Sequence, residues 1–358
     1  MADITPDLSL YQFDLPKDRI ASYPVNPRDS SKLLYLNSKH QLKHYIFHDL
    51  PSLLNETDIL VFNRTKVSKR RHYLKRPNGA ETEVVFLNSA LNQPSVWSCI
   101  IKRSGRLKIG DWLIGHNIRF RIKGRNDALT IIEAINDRGD FEWLTIDQAE
   151  SYFEKYGQPP IPPYLGRKAE PSDHQSYQTV FSEFIGSVAA PTAGLHFTED
   201  LLAKIEKKCT IAWVDLTIGY GTFAPLTNEN FQMKQLHSEQ FFIPNNTADI
   251  LNKAHSYKST NKQRIIAVGT TALRALEANF RKNGGFCAGI DSTNLFLYPP
   301  DKIRSCDGLI TNFHLPASSL FMLVCAFSDT NQILSAYQTA IDNHYRFYSY
   351  GDAMFVTH

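Results

Sequence analysis

The chain has 358 residues, 42% apolar and 12% aromatic, with 39 basic against 36 acidic residues for a net charge of +3. That is enough apolar material for one large or two moderate cores with an enclosed pocket, and too small a charge excess to mark a polyanion binder from the total alone. No stretch approaches the roughly 18–20 uncharged apolar residues of a membrane span, and the start, MADITPDLSLYQFDLP, lacks the basic and apolar regions of a signal peptide, so a cytoplasmic protein with no membrane partner is expected.

Taken in chain order, TDILVFN (57–63) reads as a buried strand. The run KVSKRRHYLK (66–75) follows, with Lys66, Lys69, Arg70, Arg71 and Lys75 and no acid among them; it suits RNA phosphates or a solvated face. From 68 to 147 short β-rich runs, ETEVVFL, VWSCIIK, WLIG, IRFRI, LTIIEAI and FEWLTI, alternate with Gly, Asn, Asp and Pro. This spacing predicts a small all-β, barrel-like domain inserted into a discontinuous α/β catalytic domain formed by 1–67 and 148–358. QAESYFEKYG then reads as a helix that stops at Gly157 before the stiff PPIPPY. Beyond it strands, loops and helices succeed one another, which predicts a mixed or partly parallel sheet with helices; Thr198 is placed to N-cap the helix TEDLLAKIEKK.

In such sheets ligands bind at the carboxyl ends of strands, so the turns there are the candidates. AAPTAGLHF (189–197) offers Thr192, Gly194 and His196. IGYGTF (218–223) offers Gly219, Gly221 and Thr222, where backbone approaches a ligand or simply turns. Downstream, His237 and Glu239 in LHSEQF share a strand face by spacing. VGTTALRALE (268–277) ends a strand at Gly269 and opens a helix with Thr270 and Thr271, a place either to hold an anion or merely to cap. Arg274 on that helix faces the ligand or pairs with Glu277 three residues on. TNFHLPASS (311–319) brings Asn312 and His314, types suited to a purine edge or a proton transfer. The C-terminal YRFYSYGDAMFV adds Arg346 and Tyr350 for stacking on bases and Asp352 as a proton or hydroxyl acceptor. The five cysteines (Cys99, Cys209, Cys287, Cys306, Cys325) fall into no disulfide or zinc spacing, so no metal site is expected.

Ten blocks, in order, carry a resemblance: YQFDLPKDRIASYPVNPRDSSKLL, DILVFNRTKV, GQPPIPPY, YQTVF, GSVAAPTAGLHF, IGYGTFAPL, HSE, VGTTALRALE, DGLITNFHLPASSLFMLVCAF and YRFYSYGDAM. Together they resemble the S-adenosylmethionine:tRNA ribosyltransferase-isomerases of queuosine biosynthesis; the block 68–147 contributes far less. The resemblance implies transfer and isomerisation of the ribosyl part of S-adenosylmethionine onto 7-aminomethyl-7-deazaguanine at the tRNA wobble position, giving epoxyqueuosine with release of adenine and methionine. S-adenosylmethionine is then a consumed substrate, and no cofactor is expected. The sulfonium acidifies the neighbouring C5′ protons, so the route needs a base at C5′, help for departing adenine and a deprotonated amine. His196, His314 and Asp352 are the expected proton-transfer groups, with Thr271 or Arg274 positioning the donor.

The chain departs from the usual pattern at Arg64 and Lys66, where similar sequences commonly carry Asp or Asn and Arg, and at Thr217, where His is common. Arg64 either alters the pocket or helps to hold tRNA phosphate. These departures keep two rivals open: an RNA-binding protein of the same fold without catalysis, and a tRNA methyltransferase using the same donor.

Overall fold

A computed structural model describes residues 7–90, 93–126, 129–136, 138–219, 226–256 and 263–358. The chain divides into two compact units. The first comprises residues up to Lys66, Pro163–Arg167 and Ser176–His358. Its frame is a nine-stranded mixed sheet in the order Gly289–Leu295, Gln235–Ile243, Thr210–Leu216, Ile59–Asn63, Ile265–Val268, Gly308–Asn312, Ala353–Thr357, Lys32–Leu36 and Leu42–Ile46. The four strands from Ile59–Asn63 to Ala353–Thr357 are buried at every residue, as ILVFN, IIAV, GLITN and AMFVT require when both faces of a sheet are covered. On one face pack the helices Asn245–Ser256, Thr270–Asn283, Ser319–Phe327 and Thr330–Asp342; on the other lie Phe47, Phe197 and the helix Glu199–Glu206. Thr198 caps that last helix, its hydroxyl accepting the Leu201 N–H.

The second unit, Val67–Pro162 with Lys168–Gln175, is a closed six-stranded antiparallel barrel. Its strands are Arg71–Lys75, Glu81–Ala90, Gln93–Ile101, Trp112–Ile114, Arg119–Asn126 and Leu129–Ile135. It extends past the expected 68–147 because the helix Ile146–Tyr156 belongs to it: Tyr152 and Phe153 fill the same core as Phe86, Trp97 and Trp143. Two local expectations change. FEWLTI is no strand, since after one bridge at Phe141 the chain turns into a capping box at Thr145 and Gln148. The basic run is instead two strands, Thr65–Val67 and Arg71–Lys75.

The fold turns the run's arginines inward. Arg70 is buried and pairs with Glu150, donating also to the Leu87 carbonyl, while Arg71 pairs with Glu83 at 2.9 Å and donates to the Ile161 carbonyl at 2.8 Å. Removing one member of such a pair strands a charge in low dielectric. Arg70→Ala is therefore expected to destabilise the barrel unit by about 3–5 kcal/mol, whereas the exposed Lys102→Ala stays within about 0.5 kcal/mol of the parent. Urea unfolding followed by tryptophan fluorescence reads mainly this unit, since Trp97, Trp112 and Trp143 lie in it and Trp213 alone lies in the other. Equal midpoints for the two variants would show that the Arg70 pair is not structural.

Candidate active site

Ile59–Asn63, Ile265–Val268 and Gly308–Asn312 are mutually parallel, so Asn63, Gly269 and Asn312 emerge at one edge of the sheet. Thr210–Leu216 runs parallel to the first of these and brings Ile218 to the same edge. Ala353–Thr357 is antiparallel to Gly308–Asn312 and parallel to Lys32–Leu36, so Asp352 and Ser31, which precede those strands, arrive there too.

A cavity at this edge is lined by Thr192, Gly269, Thr270, Thr271, Asn312 and His314, with Ile218, Leu320 and Tyr348 as apolar wall. Among the described residues no Lys, Arg, Asp or Glu lines it. The helix Thr270–Asn283 opens here. Its N-cap is Gly269, at φ 92°, and no side chain caps it. The capping alternative for the threonines is thereby closed: they are the first helical residues, and the Thr271 hydroxyl lies 3.4 Å from the donating Asn63 amide. The orphan N–H groups of the first turn remain for an anion.

His196 is fully packed on the far side of Asn312. Its Nε2 lies 3.2 Å from Asn312 Nδ2 and its Nδ1 2.7 Å from Ser31 Oγ, with the ring stacked on Phe47. Because an amide nitrogen only donates, Nε2 accepts and the proton sits on Nδ1. His314 Nε2 pairs with Thr311 Oγ1 at 2.8 Å. Burial pushes both imidazoles down to about 3, and for His196 the guanidiniums of Arg346 and Arg28 push the same way. Both are thus neutral at pH 7: good hydrogen-bond partners, and weak bases until a ligand changes their surroundings. Asn312 Oδ1 is buried with no hydrogen-bond partner among the described residues.

The other expected residues are distributed as follows. His196 and Tyr350 line a small neighbouring pocket with Arg28 rather than the cavity itself. Asp352 lines neither; its Oδ1 accepts the Lys32 N–H at 3.0 Å and its Oδ2 the Arg346 N–H at 2.7 Å, which ties the C-terminal loop to the start of a strand. Arg346 reaches Asp352 at 3.5 Å and the Tyr23 carbonyl at 3.2 Å. Gly194 is a packing position, where a Cβ would come within 2.8 Å of Phe181 and Thr179. Arg274 is buried and pairs with Glu239 at 2.6 Å, not with Glu277, which binds Arg281 instead. Glu239 in turn accepts the Gly219 N–H at 3.3 Å. A bulge between Gln235 and Glu239 breaks the alternation, so His237 is exposed where Glu239 is buried. Gly221 and Thr222 lie outside the described residues.

Of the residues expected to meet tRNA, Arg64 grips Asp215 through two nitrogens, at 2.8 and 3.2 Å, and Glu183 at 3.0 Å. Lys66 is half-buried and Lys69 pairs with Glu154 at 2.6 Å. Arg70 and Arg71 have their charges met inside the barrel unit, as described above. Sequence reasoning missed Ser31 and Asn63. Ser31 and Asn63 stand within the distinctive blocks NPRDSSKLL and DILVFN, but nothing local says which of those residues turns toward the edge.

Residues 8–356 match the family of queuosine biosynthesis proteins. The S-adenosylmethionine:tRNA ribosyltransferase-isomerase of Sulfurihydrogenibium sp. is 41% identical over 98% of this chain and 99% of its own length. That of Acinetobacter baylyi is 41% identical over 98% of each. A crystal structure of an S-adenosylmethionine tRNA ribosyltransferase from Thermotoga maritima is similar at a TM-score of 0.54 and 30% identity, over 97% of this chain and 99% of that one.

The buried imidazoles make stability depend on pH. A group whose folded value lies below its ordinary one binds fewer protons when folded, so its contribution is full above about 6.5 and falls as pH drops toward 3. Each histidine is therefore expected to lower stability progressively as pH falls through that window. Urea unfolding at pH 7, 6, 5 and 4 checks this: His196→Asn with His314→Gln should flatten the decline, and an unchanged slope would mean that the rings are protonated in the folded state.

Proposed function

The chain belongs to the queuosine biosynthesis family of S-adenosylmethionine:tRNA ribosyltransferase-isomerases, and from that premise we propose that the cavity holds S-adenosylmethionine while its ribosyl group is transferred to a tRNA base. The acceptor is 7-aminomethyl-7-deazaguanine at the wobble position. Its amine attacks, the ribosyl group isomerises to the epoxycyclopentane of epoxyqueuosine, and adenine and methionine leave. The donor is consumed, no resident cofactor takes part, and the enzyme works in the cytoplasm.

The observation that carries this reading is the open Asn312 carbonyl in an uncharged cavity beside an uncapped helix N-terminus. An acceptor oxygen with no partner suits an adenine N–H, and the helix end suits a carboxylate such as the one on the methionine part. Walls without formal charge leave a sulfonium without a counter-ion. Loss of a C5′ proton turns that cation into a neutral ylide, so the low-polarity site favours the first step the chemistry needs. His314, on the cavity wall, is the residue to take or return a proton, and Thr271 positions the donor. His196 acts through Asn312 by fixing its amide. Arg274 is a positioning residue: through Glu239 it holds Gly219, next to the wall residue Ile218.

Incubation with S-adenosylmethionine and tRNA carrying 7-aminomethyl-7-deazaguanine is expected to give adenine and methionine in equal amounts. S-adenosylhomocysteine would establish methyl transfer instead, and tRNA binding without products a non-catalytic protein. His314→Ala should lower kcat by about 10² or more if the imidazole moves a proton. Asn312→Leu, which removes the open acceptor, should raise KM for the donor about tenfold. Near-normal constants for both variants would place the chemistry elsewhere.

A further inference from the structure

The barrel unit carries a cleft of about 600 Å³ that the donor chemistry leaves unused. Arg76, Lys102, Arg103, Arg106 and Lys168 line it, against Glu81, Glu83 and Asp111. Two of those carboxylates are engaged elsewhere: Glu83 pairs with Arg71, and Asp111 Oδ2 accepts the Lys108 backbone N–H at 2.7 Å. Lys102, Arg103 and Arg106 stand exposed and form no ion pair among the described residues. They come from one turn, KRSGRLK (102–108), which contains no acid.

That turn is braced from beneath. Arg125 donates to the carbonyls of Ser104 at 2.7 Å and Leu107 at 2.5 Å, Leu107 is buried in the barrel core, and Arg76 donates to the carbonyls of Lys102 at 3.1 Å and Arg103 at 3.3 Å. Arginine side chains are thus used to hold a turn that carries other cations: their bonds to the carbonyls fix the backbone, while the repulsion among the neighbouring charges is left uncompensated. Such crowding is resolved by a polyanion. A fixed concave surface with spaced guanidinium and ammonium groups fits the phosphates of a folded RNA better than a flexible acidic peptide, and Tyr73, with Lys168 Nζ 5.0 Å from its ring centre, adds an aromatic face of the kind bases stack on.

We propose that this cleft binds the phosphate backbone of the RNA substrate. The assignment rests on the tRNA reading above, and it replaces the 66–75 run as the chain's main phosphate contact. Its residues are absent from the donor cavity, so they act on RNA affinity and leave the chemical step alone.

The test uses the full chain with Lys102→Gln, Arg103→Gln and Arg106→Gln combined, beside a control of equal charge loss, Lys39→Gln, Lys43→Gln and Lys207→Gln. Kd for full-length tRNA is measured by fluorescence anisotropy from 50 to 300 mM salt. The cleft variant is expected to weaken binding about tenfold or more and to flatten the log Kd against log salt slope by about 2–3, close to one per lost contact. Its KM for tRNA should rise in step, with kcat at saturating tRNA and KM for S-adenosylmethionine unchanged. The charge-conserving double variant Arg103→Lys with Arg106→Lys, in which Lys102 is left in place, should retain binding. A cleft variant with the control's Kd and slope overturns the proposal, as does one that loses binding to phosphatidylserine vesicles but not to tRNA. Wild-type turnover to adenine and methionine is scored separately, so failure of the enzymatic reading and failure of the cleft are told apart.

Discussion

The side-chain amide of Asn312 donates to the Tyr348 carbonyl at 3.0 Å and to His196 Nε2 at 3.2 Å, and those two bonds decide which way its own carbonyl faces. Turning the amide over would set its oxygen against the Tyr348 carbonyl, acceptor against acceptor, and lose that bond. From this orientation follow the tautomer of His196, its bond to Ser31 at the head of a strand, and the hold on Tyr348, a non-glycine residue at φ 75°. A left-handed backbone there costs about 1–2 kcal/mol, and the Asn312 bond together with the Tyr348 N–H to the Phe313 carbonyl at 2.9 Å helps to maintain it. The amide's oxygen is left over. A buried acceptor without a partner costs about 1–3 kcal/mol, which a ligand N–H would offset.

The edge where this happens was legible because its logic is local. A β-rich or apolar run ending in Gly269 or Asn312, followed by a helix or a proline, says where a strand stops, and parallel strands stop on the same side. The convergence of Thr192, Gly269, Thr270, Thr271, Asn312 and His314 on one cavity needs no more than that rule. What the sequence does not hold is the rotation of each residue once it arrives. Asp352 has the chemistry of a proton acceptor, yet both its oxygens receive backbone N–H groups from Lys32 and Arg346, residues separated from it by 320 and 6 positions. Arg274 and Glu239 meet across 35 residues, on a helix and a bulged strand, and the bulge has no signature in LHSEQF.

Charge runs were the least legible feature, for a related reason. KVSKRRHYLK and KRSGRLK are equally free of acid. Three of the five cations of the first, Arg71, Arg70 and Lys69, meet Glu83 on the neighbouring strand and Glu150 and Glu154 on a helix, the last two lying 80 and 85 positions from Arg70 and Lys69. The second lies on a turn, where no strand register forces a side chain inward. A count of lysines and arginines cannot separate them; the topology of the barrel does.

The two regions end with opposite electrostatics, and each suits a different charge. The donor cavity is lined by no formally charged side chain among the described residues, and burial keeps its nearby imidazoles neutral, so a sulfonium entering it meets neither an imidazolium that would repel it nor a carboxylate that would hold it as a cation. Had His314 kept its ordinary value, near 6.5, a partly charged ring would repel a cationic donor near neutral pH. The barrel cleft does the reverse, concentrating exposed cations on a braced turn. A shared field of one sign would attract one of a cationic small molecule and a polyanion and repel the other. On the proposed reading, keeping the fixed charge out of the cavity and in the barrel cleft lets affinity for the RNA be set by salt-sensitive contacts, while the reactivity of the donor is set by the low polarity of the walls around it.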